Sequence, residues 1–184
     1  MTAPRLLPWL ALLFVCAIGN HPVRAEDEAV VAWVTIEDAR AAMIAAGLPE
    51  PTDRTADPDF PSLGSGAGDK VGVQITLYGC RPDGRCLGAQ LFATIRATEA
   101  RFADIIVGSV EQSVAGFDAQ RLDVPTADGT DYVVMIKGYI MFDYGVSPRL
   151  LPEMTASLLG IVDQTKVFML EDDPSHAELW RGED

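Results

Sequence analysis

Cys80 and Cys86 enclose the five residues "RPDGR", and with Cys16 they make up the chain's three thiols. Two sulfurs at this spacing can bind a metal, exchange disulfides, or staple two segments together. A structural zinc site takes four ligands. Once an N-terminal leader is set aside, the chain offers two thiols and His176, which lies far away in the C-terminal tail. A redox pair favours two intervening residues at a helix N-terminus, which stabilises the thiolate; here five intervene. Pro82 suits an early turn position, and Asp83-Gly84 is turn chemistry. Directly opposed residues of an antiparallel pair have Cα atoms about 4.5–5.5 Å apart, within reach of a disulfide bond. The pair therefore reads as a structural staple across a hairpin, ahead of a redox pair and a metal site.

Other chemistry is sparse. Lys137 interrupts an apolar run and reads as an outward-facing lysine whose stem lies along the sheet. "GSGAGDK" at 64–70 departs from a phosphate loop, because Asp69 separates Gly68 from Lys70 and Val71 follows. It reads as a hairpin turn. Asp57 and Asp59 flank a proline in a polar connection, where solvation accounts for them. With His176 as the one histidine beyond the leader, a Ser-His-Asp arrangement has little support. The expectation is a protein that is not an enzyme, with no catalytic residue, cofactor or metal.

The first 25 residues differ from the rest. Arg5 precedes the apolar run "LLPWLALLFVCAIG", and "VRA" ends at Ala25. That order predicts a secretory signal peptide over 1–25, cleaved after Ala25. The apolar run is short for a membrane span of about 20 residues. Val15 precedes Cys16 where a lipoprotein signal needs a small residue. The expected location is the bacterial periplasm or the outside of the cell, where a disulfide persists. Arg5 and Arg24 would leave with the leader, taking the net charge from −13 to −15. Such an excess repels phosphate backbones and anionic membranes. No nucleic acid and no stable membrane insertion of the mature chain are expected.

These features must be held by a domain over residues 26–170, followed by an acidic flexible tail over 171–184 that carries Trp180. Hydrophobic residues make up 48% of the chain, enough for a core. Thr35 and Asp38 form a capping-box pattern ahead of a helix ending at Gly47, with Ile36, Ala39, Met43 and Ile44 as its apolar face. Phe60 to Leu63 suits a short strand. Val71, Val73, Ile75 and Leu77 alternate as in a half-buried strand, and 86–95 returns. Phe102, Ile105, Ile106, Val110, Val114 and Phe117 recur with a helical period after Thr98, although Gly108 counts against one unbroken helix. Strands follow at 118–124 and 131–142 around "PTADG", the second apolar enough to be central. Ser147 and Pro148 open a last helix, with Leu151, Met154, Leu158, Ile161, Val162 and Phe168 as its core stripe.

"LYGC" at 77–80 followed by "LFATI", the helix carrying Phe102, and "YGVSPRLL" at 144–151 before a closing helix ending in "KVF" together resemble the YbjN-domain family of bacterial sensory-transduction regulators. The resemblance spans about residues 35–170. It implies an α+β fold similar to type III secretion chaperones, in the order helix-strands-helix-strand-strand-helix, with helices against an antiparallel sheet. It further implies a non-catalytic protein partner and, by analogy of fold, a homodimer. Two departures stand out: "EARFAD" replaces an Asn-Trp-Asn-like stretch, and Tyr144-Gly145-Val146-Ser147 replaces Gly-Gly-Val-Ser. No binding residue is carried over. The expected function is an exported protein-interaction module, regulatory or chaperone-like. The alternatives are a periplasmic small-ligand binder and a thiol-redox protein using Cys80 and Cys86.

Overall fold

The computed structural model describes residues 30–66, 71–97, 99–113, 116–127 and 129–172. The leader with its cleavage site after Ala25, Thr98, His176 and Trp180 lie outside the described residues. The elements run α1 (Ile36–Ala45), β1 (Thr52–Asp53), β2 (Ser62–Gly66), β3 (Val71–Cys80), β4 (Cys86–Ala97), α2 (Ala100–Ser113), β5 (Phe117–Thr126), β6 (Gly129–Met141) and α3 (Leu150–Asp172). All six strands form one antiparallel sheet in the order β1-β2-β3-β4-β6-β5. The fold is α+β, with three helices and an antiparallel sheet.

Local chemistry explains most boundaries. The Thr35 hydroxyl accepts from the Asp38 amide at 3.3 Å, and the Asp38 carboxylate accepts from the Thr35 amide at 2.9 Å. This reciprocal pair satisfies donors that the first turn of α1 leaves free. Gly47 follows the helix at φ 87, a conformation open to glycine at little cost. Residues 71–80 alternate as expected: Val71, Val73, Ile75 and Leu77 are all buried and the residues between them are not. Leu91, Ala93 and Ile95 of β4 and Val134, Ile136 and Ile140 of β6 continue the same buried layer. Phe102, Ile106 and Val110 of α2, and Leu151, Leu158 and Val162 of α3, close over it.

Several expectations need correction. Ile44 is 47% exposed, and Ala42 takes its place in the core beside Ala39 and Met43. The strand expected at 60–63 runs instead from Ser62 to Gly66, leaving Phe60 exposed. The connection before it contributes a two-residue strand, Thr52–Asp53. Phe117 opens β5 rather than closing α2; it packs over Gly138, where an added Cβ would come within 2.7 Å of the ring. Gly108 does not interrupt α2, and a Cβ there would meet nothing within 4 Å. Strand β6 is internal but second from an edge, so it is flanked by β4 and the outermost β5. Ser147 and Pro148 precede α3 rather than start it: the Ser147 carbonyl closes a turn to Leu150 at 3.0 Å, and the helix runs from there. It continues to Asp172, two residues into the segment expected to be tail.

Ahead of α1, the chain is tied down at two points. Val31 exchanges both backbone hydrogen bonds with Val146, at 2.8 and 2.9 Å, and Val34 does the same with Cys86, at 2.9 and 2.8 Å.

Candidate functional site

Cys80 and Cys86 are directly opposed at the end of the β3–β4 hairpin and form a disulfide bond, with Cα atoms 3.8 Å apart. The turn is built as its residues suggest. The Gly84 amide donates to the Arg81 carbonyl at 2.9 Å, and the Arg81 amide donates to the Arg85 carbonyl at 2.8 Å. Gly84 sits at φ 80, which glycine adopts without a Cβ clash. Cys86 is buried and Cys80 partly so. Both sulfurs are spent on each other, and Cys86 is pinned on its other side by Val34. This is the setting of a staple. Among the described residues, no group of three or more His, Cys, Asp or Glu side chains is placed to hold a metal ion. No described helix is long and apolar enough to cross a membrane.

The remaining single residues resolve plainly. Lys137 lies on the sheet face away from the helices and pairs with Asp118 at 3.5 Å, as its outward reading implies. Asp57 and Asp59 are exposed loop residues, and the Asp57 carboxylate accepts from the Asp59 amide at 3.0 Å. Gly66 and Gly72 are paired across the β2–β3 hairpin, so "GSGAGDK" does connect two strands; residues 67–70 themselves lie outside the described set.

The less expected feature is the sheet's second face. All three helices draw on one set of alternating residues. The other set, including Gln74, Thr76 and Tyr78 of β3, Phe92 and Thr94 of β4, and Met135, Lys137, Tyr139 and Met141 of β6, has no helix of the described chain over it. One end of this face is aromatic and sulfur-rich. The Tyr78 ring lies across Gly88, where an added Cβ would fall 2.0 Å from the ring, so the missing side chain makes room for it. Its hydroxyl donates to the Ile140 carbonyl at 3.1 Å and lies 2.8 Å from the Met141 sulfur. Burial pushes the Tyr78 phenol pKa up, and Asp143 and Tyr139 add to the shift. Tyr139 and Met141 beside it are 55% and 47% exposed.

Large apolar side chains left exposed next to one another on a rigid sheet commonly mark a contact surface. The sequence hid this, because Tyr78, Tyr139 and Met141 fall within strands whose alternation reads equally well as core. A signal was present: β6 alternates between two apolar sets, so both faces of that strand carry hydrophobic residues.

No protein-family model matches this chain, and no curated protein matches it. Among solved structures, the chain is similar to the crystal structure of YbjN, a candidate transcription regulator from E. coli. The identity is 9%, the match covers 74% of this chain and 90% of that one, and the TM-score is 0.46.

Proposed function

We propose that the chain is a non-catalytic interaction module that docks a protein partner on the uncovered face of its sheet, in a regulatory or chaperone-like role. One observation carries this reading. The sheet is closed by helices on one side only, and the open side presents Tyr139 and Met141 on a rigid strand, with Tyr78 held flat beside them. Tyrosine and methionine are enriched where proteins meet. The sequence features behind export support the same setting. An n-region, an apolar run and "VRA" precede the domain, and a disulfide of this kind persists outside the reducing cytosol.

Two expected outcomes test the proposal. Protein isolated from its native envelope should have an intact mass that starts at Glu26; a full-length mass would remove the cleaved-leader reading. The contact face is tested with Tyr139→Asp combined with Met141→Asp. Both side chains are exposed, so the denaturation midpoint should hold. A partner captured by the wild-type protein should bind at least about thirtyfold more weakly, the scale of one interfacial hot spot of about 2 kcal/mol. Undiminished capture would sink the assignment of this face. Sedimentation that shows a homodimer abolished by the same pair would name a second copy of the chain as the occupant.

A further inference from the structure

The opposite end of the open face carries a groove of about 700 Å3 that the interaction reading does not use. Its floor is unusual. Gly64, Gly66 and Gly72 lie on β2 and β3 without side chains, which lets the Arg54 side chain lie over Gly64 and the Thr94 hydroxyl over Gly72 and keeps the floor low. A Cβ at Gly64 would fall 2.7 Å from the Arg54 side chain, and one at Gly72 would fall 2.9 Å from the Thr94 hydroxyl. Phe92, Val133 and Met135 supply an apolar wall.

Arg54 and Arg96 also line the groove. Arg40, Arg85, Arg101, Arg121 and Lys137 each pair with a carboxylate within 4 Å. Like Arg81 at the β3–β4 turn, neither Arg54 nor Arg96 forms an ion pair among the described residues, although the chain holds 27 acidic residues against 14 basic ones. Two guanidiniums without an ion pair among the described residues give the groove a local positive charge. Arginine is also the side chain best shaped to hold a carboxylate or phosphate through two parallel hydrogen bonds.

The floor favours a small molecule over a peptide. The groove lies across β2, β3 and β4, whose facing backbone N–H and C=O groups are spent in the ladder. An extended peptide would find few backbone partners there. The strand register sets the scale: Gly64, beneath Arg54, aligns through Gln74 with Phe92, and Arg96 lies four residues further along β4. At ordinary strand spacing and rise, the two backbone positions are about 16 Å apart. The Arg54 side chain already reaches Gly64, so the Arg96 side chain alone narrows that gap, to the length of one mid-sized molecule.

We infer that this groove binds an amphiphilic organic acid, with acidic groups on Arg54 and Arg96 and an apolar body against Phe92 and Met135. The inference goes beyond the protein-docking reading and stands without it, because it uses different residues at the other end of the face.

Calorimetric titration of the purified protein with decanedioate, decanoate and 1-decanol tests it. Decanedioate should bind most tightly and decanoate more weakly, while the neutral alcohol shows no saturable binding. Arg54→Gln and Arg96→Gln should each weaken decanedioate by about tenfold or more, roughly one charge-assisted contact. Both arginines are exposed, so folding should not confuse the result. Gly72→Val, which fills the floor, should abolish binding independently of charge; a circular-dichroism melt confirms that this variant is folded. Three results would overturn the inference. They are no binding of either acid at about ten millimolar, weaker than any specific site; equal binding by the Arg54→Gln/Arg96→Gln pair; and tighter binding of an oligoglutamate peptide than of decanedioate.

Discussion

Phe102→Ala should destabilise the protein by about 3–5 kcal/mol, the usual cost of emptying a buried phenylalanine site. Phe102 is 2% exposed and is among the largest fully buried side chains. It belongs to α2, which packs on β5 and β6 and touches β4 and α3. Its ring therefore fills space bounded by more than one element. Domains of this size are stable by about 5–15 kcal/mol, so the variant loses a large share of its margin. Urea denaturation should show a lowered midpoint with an unchanged slope. Ile105→Ala, one turn position away but only half-buried, should cost clearly less. A loss under about 1 kcal/mol at Phe102 would mean that α2 is not docked as described.

Replacing both Cys80 and Cys86 with Ser should lower stability by about 2 kcal/mol. Loop-closure entropy for so small a ring is about 2.4 kcal/mol, and residual structure in the denatured chain reduces it. The fold should survive, because the buried layer of Val73, Ile75, Leu91 and Ile136 lies away from the turn end where the staple sits. Thiol titration of unreduced protein should find no free sulfhydryl before or after denaturation. Two free thiols would reopen the redox reading. So would rapid reduction by mild thiols, which a buried Cys86 should resist.

Much of this architecture could be read from residue order, for identifiable reasons. Residues 71–77 alternate strictly because one sheet face is dry and the other is not. "RPDGR" specifies its turn through a proline, an aspartate and a glycine at the positions that need them. Thr35 and Asp38 announce α1 by a hydrogen-bond pattern confined to four residues. Failures came where tertiary contacts decide. Thr52–Asp53 becomes a strand only because Leu63 and Gly64 lie opposite. Phe117 fits a helical period but is drawn into β5 by the gap over Gly138. Ser147 and Pro148 have the chemistry of a helix start, yet the chain turns once more before α3 begins at Leu150. The candidate sites were the least legible. An arginine's lack of an ion pair, and a groove floored by glycines on separate strands, have no signature along the chain.

The short segment before α1 bears on the order in which the protein can assemble. Val31 bonds to Val146 and Val34 to Cys86, partners from the far side of the sheet's construction. Neither contact has local support. Val31 is synthesised long before Val146 exists, and closing so long a loop carries an entropic cost that local pairs avoid. The β3–β4 and β5–β6 hairpins are pairings of neighbouring segments; this clasp is not. It is therefore a late event, a latch that closes once the sheet stands. Until it does, the N–H and C=O of Cys86 on that side, and those of Val146, are held by water. Early folding species should thus be native-like in the hairpins and open at this corner, with protection from hydrogen exchange arriving there last.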